Sequence, residues 1–187
     1  MKILARSFYS RDTVDVARDL LGKSLVRKVG KKTISGIITE TEAYRWQDDQ
    51  ASHSFGGLTE RNKAMFSEVG RAYVYFTYGM HYCMNVVAKG NSDKAGAVLI
   101  RALEPKEGLG FMKKQRGTDK ISNLTNGPAK LTQALQITKK QYGEDLTKNS
   151  SLFITEGIKI KKSDIIEKPR VGIKKATDRL WNFTLRN

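Results

Sequence analysis

The sequence predicts an α+β fold: a single domain built on a mainly antiparallel, curved β-sheet with flanking helices and a protruding β-hairpin. Three observations carry this expectation. The elements run helix, several strands, helices, strands, without the strict alternation of strand and helix that a parallel sheet needs. The strand-like stretches near the amino end are joined by short glycine-containing turns, which suit antiparallel neighbours. The chain has 187 residues, 39% of them hydrophobic, enough for one compact core and too few to favour a second large one. Residues 1–187 are therefore read as one domain.

In chain order, Ser10 and Asp12 offer N-caps to a first helix whose Val16, Ala17, Leu20 and Leu21 share a face, and Gly22 supplies a left-handed stop. From Lys23 the pattern turns to strands at 25–29 and 34–44 around a Gly30-Lys31-Lys32 turn, and the polar stretch 45–60 reads as a loop. Residues 73–76 and 82–87 are rich in aromatic and β-branched types and flank Tyr78-Gly79-Met80-His81, a turn with a permissive glycine, so they form the hairpin. A buried-type strand at 97–103 follows. Pro105 is expected to open a helix running through Met112, and Asn126-Gly127-Pro128 another reaching about Leu135. Beyond Thr138 core signals are sparse until 151–154 and 170–185, where short strands alternate with Lys-rich connections.

Thirty-four Lys and Arg against 19 Asp and Glu give a formal charge of +15, which favours a polyanionic partner; a merely soluble basic protein is the competing reading. The single cysteine, Cys83, allows no internal disulfide and points to a reducing compartment. No apolar run has the length of a signal peptide or membrane span, so the expectation is an intracellular protein, cytoplasmic or nucleoid-associated if bacterial, without membrane contact and monomeric. His53 and His81 are the only histidines, and neither a paired-cysteine motif nor a His-x-Glu accompanies them, so no metal and no cofactor are expected. The run Ala17-Arg18-Asp19-Leu20-Leu21-Gly22-Lys23-Ser24 loosely fits a phosphate loop, but it ends a helix and enters a strand, the reverse of the required order. The Asn-x-Ser/Thr sites at Asn123, Asn149 and Asn182 matter only in a secreted protein.

On a strand, Glu40, Glu42 and Tyr44 of the run Ile37-Ile38-Thr39-Glu40-Thr41-Glu42-Ala43-Tyr44 face the same side. Two neighbouring carboxylates repel and need solvent, a cation or a function to remain together. Periodicity alone leaves both an exposed polar face and a catalytic pair open.

That run, with Ser52-His53-Ser54, Arg61-Asn62, Tyr73-Val74-Tyr75, Tyr78-Gly79-Met80, Cys83-Met84-Asn85, Arg101-Ala102-Leu103-Glu104-Pro105, Asn126-Gly127-Pro128-Ala129-Lys130-Leu131 and Arg170-Val171-Gly172-Ile173, resembles the alkyladenine (3-methyladenine) DNA glycosylase family in order and spacing from near Phe8 to the C-terminal strand. The resemblance implies hydrolysis of the N-glycosidic bond of alkylated or deaminated purines in double-stranded DNA, after base flipping, by a monofunctional enzyme of base excision repair without lyase activity. It implies that Glu42 is the general base that deprotonates the attacking water, with Arg101 beside that water and Glu40 a supporting acid. Tyr44, His53 and Tyr75 would sandwich the flipped base, the main-chain amide at His53 would read the purine's six-position, and Asn85 would obstruct the two-amino group of guanine. Tyr78 would wedge into the base stack with Met80 and His81 at its flanks. His81 departs from the aromatic of some members. Tyr73 and Tyr82 are read as strand core.

Lys159, Lys161, Lys162, Lys174 and Lys175 are either a solvated face or a grip on phosphates, and the amino end of the Asn126-Gly127-Pro128 helix, with Lys130, offers one phosphate site. Two rival functions use the same residues: a non-catalytic nucleic-acid-binding module with a basic face and aromatic hairpin, and a nucleosidase for small molecules, against which the charge argues.

Overall fold

The computed structural model describes residues 2–77 and 79–186. Its elements are, in order, α1 (Arg6–Tyr9), α2 (Thr13–Asp19), β1 (Ser24–Val29), β2 (Lys32–Arg45), β3 (Ala72–Thr77), β4 (His81–Val87), β5 (Gly96–Glu107), α3 (Leu109–Arg116), α4 (Pro128–Ala134), β6 (Leu152–Thr155), β7 (Ile165–Lys168) and β8 (Asn182–Leu185). The strands form one curled, antiparallel sheet in the order β3-β4-β5-β2-β1-β6, and the four helices flank it. This is the α+β architecture expected.

β2 is the trunk of the sheet. One edge pairs with β5 along nearly its whole length; the other pairs first with β1, from Lys32 to Ile37, and then with β8, from Glu40 to Glu42. β7 adds to the outer side of β8. From Glu40 onward, side chains alternate across β2 with a period of two. Thr41 faces α2, its hydroxyl donating to Ala17 O at 2.7 Å, and Ala43 is buried in the main core, while Glu40, Glu42 and Tyr44 face the other way. That core joins Val16 and Ala17 of α2, and Leu20 just after it, to Ile38, Val98, Ile100 and Phe183 of the sheet. A smaller cluster of Ala64, Met65, Tyr73, Val87, Ala95 and Ala97 supports the other side.

Asp12 alone caps α2, accepting from the amides of Val14 at 2.8 Å and Asp15 at 3.4 Å; the Ser10 hydroxyl instead donates to Asn91. Gly22, at φ 80°, sits where a Cβ would meet Ile160 and the Ile158 carbonyl, so the left-handed stop is enforced by packing as well as by conformation.

Pro105 does not open a helix. It lies inside β5 opposite Gly36, at a register irregularity, the kind of place in a sheet that tolerates a residue without an N–H. The helix waits for Gly108, which takes φ 77° close against Ile34, and runs from Leu109 to Arg116. Within 170–185 only β8 is a strand, and residues 170–181 are turns and bends. β7 forms in a stretch the pattern left unassigned.

Because Asp12 satisfies two otherwise orphaned amides of α2, Asp12→Ala is expected to lower unfolding free energy by about 1 kcal/mol, as measured by urea denaturation.

Candidate active site

A cleft of roughly 460 Å³ opens on the face of the sheet opposite α2. Its walls come from the end of β2 (Tyr44), the loop after it (Ala51, His53, Arg61), the hairpin strands (Tyr73, Tyr75, Cys83, Asn85), β5 (Leu99, Arg101) and the segment Val171 to Lys175. This size falls in the range of small-ligand pockets, about 300–1,000 Å³.

Glu42 has no solvent exposure and lies one layer behind that wall. Its carboxylate is held by four donors. Oε1 accepts from the Val171 amide at 2.7 Å and Asn182 Nδ2 at 2.9 Å; Oε2 accepts from the Tyr44 hydroxyl at 2.8 Å and an Arg101 guanidinium nitrogen at 3.4 Å. Three of these four residues, Tyr44, Arg101 and Val171, line the cleft. Glu40 stands beside it, bonded to Arg101 Nε at 3.1 Å and to the same Asn182 amide at 2.8 Å, with Lys168 Nζ at 3.7 Å. The carboxylate pair is thus compensated by a guanidinium and an ammonium, which is what permits two acids so close together. Burial first, and the Glu42 charge second, push the Tyr44 phenol far up, so it stays protonated and stays a donor.

The aromatic wall is ordered by its own contacts. His53 Nδ1 shares a 2.9 Å hydrogen bond with the Tyr73 hydroxyl, and its ring meets Tyr75 edge-on at 4.7 Å between centroids. Asn62, buried, donates to the carbonyls of His53 and Gly57 and so clamps the loop that carries His53. The His53 amide makes no hydrogen bond among the described residues. Asn85, also buried, donates to Tyr73 O at 3.0 Å, which fixes its orientation at the cleft. Although His53 opens onto the cleft, loss of hydration among the surrounding rings, with the Arg61 cation second, holds its imidazole below its ordinary value.

The cleft therefore gathers Tyr44, His53, Tyr75, Asn85 and Arg101, with Glu42 directly behind them. Tyr78 lies outside the described residues. Met80, 70% exposed, and His81, also exposed, stand at the hairpin end of β4 and do not line the cleft. Lys130 is tied to Asn123 Oδ1 at 2.6 Å and Asn126 Oδ1 at 2.9 Å, although its neighbour Pro128 reaches the cleft. Tyr73 is strand core, as expected, but it also lines the cleft and orients His53. Tyr82 is half-buried against Phe76.

Sequence reasoning gave no role to Val171, Asn182, Asn62, Arg61 or the buried pair Asp49 and Arg170. Asn182 heads the Asn182-Phe183-Thr184 triplet that reads as a glycosylation sequon; here its Oδ1 accepts from Thr184 and its amide bridges both acids. Among the described residues no group of three or more His, Cys, Asp or Glu is placed to hold a metal ion, and no helix is long and apolar enough to cross a membrane.

The model of the methylpurine-DNA glycosylase family matches residues 7–187. The chain belongs to that family. It is thus a DNA glycosylase, a hydrolase of base excision repair, with DNA as its substrate. Relatives named as 3-methyladenine DNA glycosylases agree over nearly their whole length. The protein of Carboxydothermus hydrogenoformans is 49% identical over 185 residues, covering 99% of this chain and 96% of its own. That of Prosthecochloris aestuarii is 50% identical over 177 residues, 94% of this chain and 84% of its own, and that of Clostridium acetobutylicum 45% identical over 195, 98% and 94%.

The lowered His53 value has a sign that can be checked. The fold keeps this imidazole neutral at pH values where the unfolded chain protonates it, so acidification below about 6.5 favours the unfolded state and this contribution to stability falls as pH drops. In an NMR titration, His53 is expected to titrate below the ordinary value, and Arg61→Gln to move it upward.

Proposed function

We propose that this glycosylase turns a damaged purine out of duplex DNA into the cleft and hydrolyses its N-glycosidic bond with Glu42 as general base, leaving an abasic site. The observation that carries this reading is a fully buried carboxylate held directly behind an aromatic-walled, purine-sized cleft, with Arg101 reaching both. A carboxylate accepts about four hydrogen bonds, and Glu42 already receives four, so an attacking water must displace one donor. The Arg101 contact, at 3.4 Å the longest, is the one that would yield, leaving the guanidinium beside the water.

Tyr44, Tyr75 and His53 would contact the everted base, and π faces favour purines made electron-poor or cationic by alkylation. The uncommitted His53 amide would donate to a six-oxo group, as in hypoxanthine, where adenine presents a donor instead. Asn85, anchored by Tyr73 O, would stand in the way of guanine's two-amino group. Alkylated purines such as 3-methyladenine, the lesion in the relatives' names, and deaminated purines are thus the proposed substrates.

Tyr78 is proposed as the wedge that fills the gap in the stack, offsetting an unstacking cost of a few kcal/mol, with Met80 and His81 at its flanks. Arg61, Lys174 and Lys175 line the cleft and form no ion pair among the described residues, which suits them to phosphates; Lys130 would exchange an asparagine for one. The enzyme is proposed to act as a monofunctional, monomeric single domain inside the cell.

Glu42→Gln is expected to bind a hypoxanthine- or 3-methyladenine-containing duplex and release the base at least about 100-fold more slowly than the unaltered enzyme in a single-turnover assay. Equal release would eliminate Glu42 as the base. Duplex affinity should fall linearly with log salt, and Lys174→Ala with Lys175→Ala should flatten that slope by roughly two; a salt-independent affinity would remove the phosphate grip.

A further inference from the structure

The Arg170 and Asp49 side chains are both fully buried and pair with each other, at 2.5 Å between Nη1 and Oδ2 and 2.7 Å between Nη2 and Oδ1. Nothing in the proposed chemistry uses this pair directly, yet apart from a 3.5 Å bond from Arg170 Nη2 to Ala176 O and packing on Trp181, its remaining contacts lead to the site. Arg170 Nη1 also donates to Ala43 O at 2.8 Å, between the two β2 residues Glu42 and Tyr44. Its guanidinium lies 4.7 Å from the ring centroid of Tyr44, a wall of the cleft, and 5.2 Å from that of Trp181. Asp49 accepts from the amides of Arg45 at 3.2 Å and Ala51 at 3.1 Å, which shapes the turn leading to His53. The residue that follows Arg170 is Val171, whose amide donates to Glu42 at 2.7 Å.

A backbone amide cannot be aimed by its own side chain; its direction is set by how the flanking residues are anchored. The segment from Val171 to Lys175 is irregular and largely exposed. Its anchor on the site side is Arg170, pinned by a forked guanidinium that fixes orientation as well as position. We propose that Arg170, through Asp49, is a positioning residue for the glycosylase reaction: the pair aims the Val171 amide at Glu42 and sets the Tyr44 wall at the same time. The inference rests on Glu42 acting as the base.

The test compares Arg170→Lys, which keeps the charge but loses the fork, and Asp49→Asn, which keeps the shape but loses the charge. Each is measured for thermal unfolding, affinity for a hypoxanthine duplex, and single-turnover release. Both variants are expected to be folded at the assay temperature, to bind within about threefold of the parent, and to release base about 10- to 100-fold more slowly, since small misplacements of reacting groups cost this much. Val171→Pro deletes the amide hydrogen itself and should slow release similarly. Combined with Arg170→Lys it should add no more than about threefold, because both changes act through one contact.

A folded Arg170→Lys or Asp49→Asn variant that releases base at the parental rate would overturn the proposal, as would fully multiplicative effects in the combination. If neither variant folds, the pair is a structural element and the proposal falls. Activity of Glu42→Gln separates the two readings. If that variant is active, the assignment of the base fails; if it is inactive while the Arg170 and Asp49 variants are normal, only this inference fails.

Discussion

A carboxylate removed from water must recover its hydration from the protein, and Glu42 does so from four donors that arrive from different parts of the chain. Tyr44 is its neighbour on β2, Arg101 comes from β5, Asn182 from β8, and Val171 from the irregular C-terminal segment. Much else in the fold can be derived from that requirement. β8 must reach β2 beside Glu40 and Glu42, where it interrupts what would otherwise be a longer β1 edge. The C-terminal segment must return across the cleft. Losing any one donor would leave a buried ion under-solvated, at a cost of roughly 1–3 kcal/mol and more for a charged group.

The second buried charge system, Asp49 with Arg170, follows a related logic. Replacing such a pair with apolar residues is often harmless to stability, whereas removing one partner costs about 3–5 kcal/mol. Stability alone therefore does not explain why an ion pair stands here. What an apolar pair could not supply is direction: the fork of Arg170 addresses Asp49 and Ala43 O together, and Asp49 addresses two loop amides, so three chain segments are indexed to one another.

The sequence made half of this site legible. Alternation along β2 placed Glu40, Glu42 and Tyr44 on one face, and the aromatic hairpin announced itself by composition. The family resemblance, which the match over residues 7–187 bears out, pointed to His53, Tyr75, Asn85 and Arg101, and all of them line the cleft. The other half is made by partners far apart in the chain, 121 residues for Asp49 and Arg170 and 140 for Glu42 and Asn182. Such pairs leave no periodicity, and a lone Asn or Arg in a turn-rich segment carries no local signature. Pro105 misleads for the opposite reason: a proline suits the first turn of a helix, but a bulge equally accepts a residue without an N–H. The asparagines that hold Lys130 are likewise invisible in the sequence, because they depend on the path of the loop before α4.

The placement of the acids depends on a small irregularity in the sheet. Between β2 and β5 the register runs Ile38 to Leu103, Glu40 to Ala102, and Thr41 to Ile100, so Thr39 on one strand and Arg101 on the other each stand without a partner. Without the extra residue on β2, Glu42 would share the face of Ile38, which lies in the main core; the irregularity instead turns Thr41 and Ala43 to that core and Glu42 to the cleft. The second insertion, on the facing strand, restores the pairing, so that Leu103 before it and Ile100 after it both lie in the core. The alternation resumes shifted by one residue on both strands, and the unpaired residue on β5 is the arginine that serves both carboxylates. A cation freed from strict alternation at the point where two anions converge lets the sheet carry an acid pair, one member fully buried, at its centre.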